Sequence, residues 1–202
     1  MGKDLKEYKE HIVKEMLIAI GEDTKREGLV DTPKRVVKMW KEIFRGYDEK
    51  QMPKVTTFLN GTDGLTYDQK ITDEGTYYSH CEHHMVPFFG NYYFAYIPHP
   101  NGKLIGLSKV ARVVDHFSAK LQVQERLTHD IINHLWKELG EGIHKQNGPL
   151  AIGLVMEGEH LCKTMRGVKK KGKMTTTILH GTFKKDPEAR SEFLSWVNSH
   201  KR

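Results

Sequence analysis

The segment Tyr92-Tyr93-Phe94-Ala95-Tyr96-Ile97 decides the fold class of this chain. An unbroken run of aromatic and apolar residues of this length has the chemistry of a β-strand. Pro98-His99-Pro100-Asn101-Gly102 follows as a turn, and residues 103–107 read as the strand it leads into. Downstream, Ser108 stands as a cap before a helix to about residue 119, with Val110, Val113, Val114 and Phe117 facing inward. A further helix is predicted over roughly 123–139, stopped by Gly140. Residues 150–156 and 175–179 give two more strands, and 187–198 a closing helix. Upstream, residues 48–75 are rich in Gly, Asp, Thr and Lys, which predicts loops around one short strand over about 55–59. Before them, Asp31-Thr32-Pro33 has the chemistry of a helix start, a capping side chain with proline in the first turn. Val36, Val37, Trp40, Ile43 and Phe44 give that helix its apolar face, and Gly46 ends it. Leu5, Tyr8, Ile12, Met16, Ala19 and Ile20 recur at helical steps and predict an amphipathic first helix, broken by the polar stretch 21–28. The order is two helices, two strands, two helices, two strands and one helix. Paired strands with helices on one side make an α+β domain.

A chain of 202 residues with 38% hydrophobic content suits one compact functional unit. It divides into an N-terminal helical segment, 1–50, and a larger domain, 51–202. No apolar run approaches membrane-spanning length, and the chain opens directly into a charged helical pattern without a signal-peptide core; a cytoplasmic protein with no membrane partner is expected. The formal charge of +6 suits an anionic ligand but is too modest to argue for nucleic acid. No internal repeat or low-complexity tract interrupts the pattern.

The chemistry is concentrated in Cys81-Glu82-His83-His84 and His160-Leu161-Cys162, which contain both cysteines of the chain, each with histidine close by. Cys81 and His84 are near enough in sequence to reach one divalent ion, and Cys162 can supply a third donor from a distant segment. Three protein donors leave tetrahedral zinc with an open position, the catalytic arrangement, which lowers the pKa of a water held there. The competing reading is a disulfide or two buried apolar thiols. Neither accounts for the flanking histidines, and a reducing compartment favours the metal. Other histidines, such as His11, His129, His144 and His200, are expected to be solvated.

The ordered motifs resemble the GTP cyclohydrolase I family. They are Asp31-Thr32-Pro33-Lys34-Arg35, Cys81-Glu82-His83-His84, Ile105-Gly106-Leu107-Ser108-Lys109, Val123-Gln124-Glu125-Arg126-Leu127-Thr128, His160-Leu161-Cys162 and Arg166-Gly167-Val168. The resemblance implies the tunnelling fold, an antiparallel four-stranded sheet with two helices packed on one face, following the N-terminal helical segment. It implies a homodecamer of two pentameric rings with active sites at subunit interfaces. By the same resemblance Cys81, His84 and Cys162 hold Zn2+, and His83 and His160 are the catalytic histidines. Glu125 grips guanine with Gln124 beside it. Ser108, Lys109, Arg112 and Arg166 contact the triphosphate, and Arg35 and Lys38 reach it from a neighbouring subunit. The implied reaction is zinc-dependent hydrolysis of GTP at C8, with ring opening, formate release and recyclisation to 7,8-dihydroneopterin triphosphate, the first step of folate and pterin biosynthesis.

Physical reasons accompany these assignments. A buried carboxylate at Glu125 can accept both adjacent N–H donors of guanine, which adenine lacks. Lys109 with Arg112, and Arg35 with Lys38, each share a helical face, although solvated helix faces have the same pattern. Glu125 could equally pair with His129 on the helix surface. Two rival functions fit less well: a nucleic-acid module with a closed structural zinc, for which no paired C-x-x-C knuckle is present, and a nitrile reductase of the tunnelling fold, which needs a catalytic cysteine. Lys120-Leu121 departs from an Arg-Pro pair common in the family, and Lys163 with Lys169-Lys170-Lys171 and Lys173 makes that region unusually basic.

Overall fold

The computed structural model of the chain describes residues 2–140 and 147–201; His144, expected to be solvated, lies outside them. Two helices open the fold, α1 (Gly2–Ala19) and α2 (Thr32–Ile43), followed by β1 (Thr57–Leu59), β2 (Ile71–Cys81), β3 (Pro87–Ile97) and β4 (Lys103–Ile105). Then come α3 (Lys109–Ser118), β5 (Leu121–Gln122), α4 (Gln124–Leu139) and β6 (Ala151–His160). The chain ends with α5 (Leu161–Thr164), β7 (Lys173–Gly181), α6 (Thr182–Lys185) and α7 (Pro187–His200).

The main sheet has the order β5-β2-β3-β6-β7. Its four long strands are antiparallel neighbours, and the two-residue β5 adds a parallel edge beside His80 and Cys81. The expected strand after residue 102 exists but pairs with β1 in a separate two-stranded sheet. Its place in the main sheet is taken by β2, whose first five residues fall where loops were expected and whose remainder carried no strand assignment. The inward row of β2 explains why: Asp73, Gly75, Tyr77, Ser79 and Cys81 offer almost no apolar alternation to read. Buried neighbours supply what the residues lack, as where the Tyr92 hydroxyl donates to Asp73 at 2.9 Å.

Both faces of the central strands are covered, which is why 92–97 is continuously apolar. Tyr92, Phe94 and Tyr96 pack with Ile152, Leu154 and Met156 against Val113 and Val114 of α3 and Leu127, Ile131 and Leu135 of α4. Tyr93, Ala95 and Val155 face the other way and meet Phe183, Phe193 and Val197 of α6 and α7. Helices therefore lie on both sides rather than one. Burying each large aliphatic side chain in these layers contributes about 1.5–3 kcal/mol.

The helix starts also differ in detail. Neither Asp31 nor Ser108 makes a side-chain cap hydrogen bond; Asp31 lies 3.7 Å from Arg35 as an ion pair instead. Gly46 does not close α2, which ends at Ile43. It is glycine because a Cβ there would lie 2.3 Å from the His116 carbonyl oxygen, where the turn after α2 presses against α3. Among the described residues of α1 only Val13 is buried, while Leu5, Tyr8 and Met16 of its apolar face, and Ile20 just beyond it, are exposed. No helix among the described residues is long and apolar enough to cross a membrane.

Candidate metal centre

Strand register builds the site. β2 and β6 flank β3 and both run antiparallel to it, so their C-terminal ends reach the same end of the sheet, with Pro87 and Phe88 of β3 opposite His80 and His160. Cys81 is the last residue of β2, and the tight connection to β3 carries Glu82, His83 and His84. That connection is held by Met85 N donating to the Cys81 carbonyl at 2.8 Å, Cys81 N to the Val86 carbonyl at 2.9 Å, and Glu82 N to the Gln122 carbonyl at 3.1 Å. Met85 takes φ +54°, the left-handed turn that folds the loop back. Cys162 follows His160 in the single turn α5.

The donor atoms of Cys81, His84 and Cys162 all lie within 4.8 Å of one another. Around a tetrahedral zinc, thiolate and imidazole donors at their usual bond lengths stand about 3.5–3.8 Å apart. The trio thus fits such an ion with no pair needing to close by more than about 1 Å. Both thiols are free, which removes the disulfide alternative. The Cys162 thiol is raised above its ordinary value, first by burial and then by the adjacent Cys81 sulfur. A cation held between the two sulfurs would offset what raises the Cys162 thiol. Arg166 bonds His84 Nε2, so a metal bound through that nitrogen would displace the guanidinium.

His160 stacks flat on Phe88, with ring centroids 4.6 Å apart and planes 4° from parallel. Its Nε2 lies 2.9 Å from Gln124 Oε1. Burial lowers its pKa, opposed by the nearby Glu125 carboxylate and helped by Lys163. His83 is exposed, 3.7 Å from the Cys81 sulfur through Nδ1. Arg126 clamps Glu82 in an ion pair while its Nε donates to Gln122 Oε1 at 2.9 Å, which ties the metal loop to β5 and α4.

The remaining expected residues separate into two groups. Glu125 lies beside this centre in the first turn of α4, but it is exposed in the single chain rather than buried. Gln124 is fully buried, and its amide is spent on protein partners. Ser108, Lys109 and Arg112 sit at the start of α3, beside β4, where Ile105 N donates to the Tyr96 hydroxyl at the opposite end of the sheet. The length of α3, about 15 Å, lies between Lys109 and the turn that touches the metal strand, where Ser79 Oγ meets the Lys120 carbonyl. Arg35 and Lys38 are exposed on α2. Of the departures, Lys120 lies over the Phe117 ring at 5.0 Å. Leu121 lines a groove of about 430 Å³ with Trp40, Phe44 and Met85. Phe88, Tyr77, Gln122 and Thr176 also shape the centre, yet no local signal marks them, because strand register brings them there; Arg126 joins them from α4.

Comparison with known proteins adds an independent line. The family model for GTP cyclohydrolase I matches residues 9–198. The chain is 45% identical over 188 residues to GTP cyclohydrolase 1 of Coxiella burnetii (strain RSA 493 / Nine Mile phase I), covering 92% of this chain and 95% of that protein. It is 42% identical to the enzyme of that name from Bacillus pumilus, over 98% of this chain and 100% of the relative. For Clostridioides difficile the figures are 41% identity and 98% of each chain. Among solved structures, an archaeosine synthase QueF-like chain aligns with 54% of this chain and 91% of its own at 10% identity and a TM-score of 0.38.

Proposed function

Because the chain belongs to the GTP cyclohydrolase I family, we propose that it converts GTP to 7,8-dihydroneopterin triphosphate and formate at a zinc centre held by Cys81, His84 and Cys162. The observation that carries the reading is the convergence of those three donors from two distant segments. Zinc held there would supply Lewis acidity and would make water nucleophilic at neutral pH.

The chain's own residues do the rest. Glu125 accepts the N1–H and 2-amino N–H of guanine and sets C8 towards the centre. His160 gives a proton to N7 as water adds at C8 and the imidazole ring opens. A second water releases C8 as formate. His83, exposed beside the ligand pair, protonates the ribose ring oxygen when the sugar opens. Ring closure then expels one water, so one water is consumed overall.

Ser108, Lys109, Arg112 and Arg166 hold the triphosphate, with Arg35 and Lys38 from another copy. The separation of Lys109 from the donor trio supports a site assembled between subunits. So does the exposed apolar face of α1, which a partner would cover. We read the four long strands with α3 and α4 on one face as the tunnelling fold, and the assembly as two pentameric rings. Reduced thiols suit a cytoplasmic setting.

Incubation with GTP should yield formate and, after oxidation, a fluorescent pterin; ATP should yield neither. Wild-type protein shown to hold one zinc per chain and still inert towards GTP would sink the proposal. Replacing His160→Ala should abolish formate release with zinc content unchanged, whereas metal loss would make His160 a ligand.

A further inference from the structure

We infer that Gln124 is a positioning residue that fixes the proton of His160 on Nε2, leaving Nδ1 as the nitrogen that exchanges a proton with substrate. The catalytic consequence rests on the role given to His160 above; the tautomer does not.

The orientation of a buried amide fixes the tautomer. Gln124 is 0% exposed. Its Nε2 faces three oxygens: the Met156 carbonyl at 3.1 Å, the Met174 carbonyl at 3.0 Å and Thr176 Oγ1 at 3.2 Å. Two of these are carbonyls, which only accept, so the amide nitrogen must be on this side. The hydroxyl is oriented too. Thr128 Oγ1 donates its one proton to the Gln124 carbonyl at 2.7 Å. In the 2.6 Å contact between Thr128 and Thr176, Thr176 is therefore the donor. Its oxygen is left to accept from Gln124. The loop closes on itself: side-chain amide to Thr176, Thr176 to Thr128, Thr128 to the backbone carbonyl of Gln124. Turning the amide over would set its oxygen against two carbonyls and break this ring.

Gln124 Oε1 must consequently face the other way, where it meets the Tyr77 hydroxyl at 3.3 Å and His160 Nε2 at 2.9 Å. An amide oxygen only accepts, so the imidazole nitrogen that touches it carries hydrogen. Stacking on Phe88 removes the ring's remaining freedom. The neutral ring is then bare at Nδ1 alone, and the proton it passes to N7 is one that Nδ1 first takes up, the water adding at C8 releasing one. A histidine with one nitrogen committed to the protein and the other kept open is oriented for transfer to a single atom of the substrate.

Neutron diffraction from the zinc-loaded protein, at a pH where imidazole is neutral, tests this directly. Deuterium should appear on His160 Nε2 and on the Gln124 nitrogen that faces Met156 and Met174. Deuterium on Nδ1 with Nε2 bare, or a reversed amide, overturns the inference whatever the enzyme does with GTP. In a Gln124→Met variant, kcat for formate release should fall about a hundredfold at unchanged zinc content, while KM for GTP changes less than about threefold. A raised KM at normal kcat would make Gln124 a guanine contact. A lower melting temperature with normal kcat would make it only structural. Either result refutes the positioning role, and if this variant fails to fold the nuclear density on the wild-type protein still decides.

Discussion

Zinc binding should release about two protons per ion, and the donor set explains the count. Cys81 and Cys162 must each bind as thiolate, whereas His84 offers a nitrogen lone pair. The Cys162 thiol is held above its ordinary 9.0 by burial and by the sulfur beside it, so it keeps its proton through neutrality until a cation arrives. The sign follows from that direction. A raised thiol pKa means protons compete with the ion, so affinity falls as pH falls. Exchanging two protons for one ion changes the apparent dissociation constant about a hundredfold per pH unit, or about 2.7 kcal/mol. Competition with a chromophoric chelator between pH 7 and 8 gives the slope. Calorimetry in two buffers of different protonation enthalpy gives the count. Cys162→Ser should lower the count to about one and the slope to about tenfold. A count near zero in the wild type, or no change in the variant, would refute a centre built on two thiolates.

Replacing Glu125→Gln should lower kcat/KM for GTP by about a hundredfold, because one amide cannot accept both guanine donors; a fall below about threefold would remove Glu125 from base recognition. Gly90→Ala should leave little soluble protein. Its Cβ would lie 1.8 Å from the Glu157 carbonyl oxygen in the neighbouring strand, an overlap costing more than about 3 kcal/mol, and normal yield with an unchanged melting temperature would contradict the β3–β6 register. Co-refolding Lys109→Ala with Cys162→Ser in equal amounts should restore about a quarter of wild-type turnover if each site draws the two groups from different copies. Restoration would be nil if one chain supplied both.

The fold was legible wherever burial on one or both faces leaves a record in residue type. The run 92–97 announces a strand covered on both sides, and the periodicity of α3 and α4 announces helices packed on one. β2 left no such record. Its inward row contains Asp73, Gly75 and Ser79, stabilised by partners distant in sequence, and a long polar strand at that register is invisible to alternation. α1 was legible as a helix, but what covers its apolar face was not. Its apolar residues are real, but they face outward in the single chain. An amphipathic pattern records that a face is covered without saying by what.

The site divides along the same line. Cys81 and His84 lie three residues apart, and His160 two from Cys162, so each half of the centre could be read as a local cluster. Their union could not be read locally, since it depends on β2 and β6 flanking β3. Gln124 shows the limit of local reading most clearly. Beside Glu125 in sequence it suggests a shared contact with guanine, yet adjacent positions on a helix point in different directions. Glu125 turns to the open side near His160, while Gln124 turns into the sheet and spends its amide on Met156, Met174 and Thr176. Two neighbouring polar residues thus serve one histidine differently. Glu125 acts on its charge through space, and Gln124 holds its ring through a bond whose direction the buried carbonyls impose.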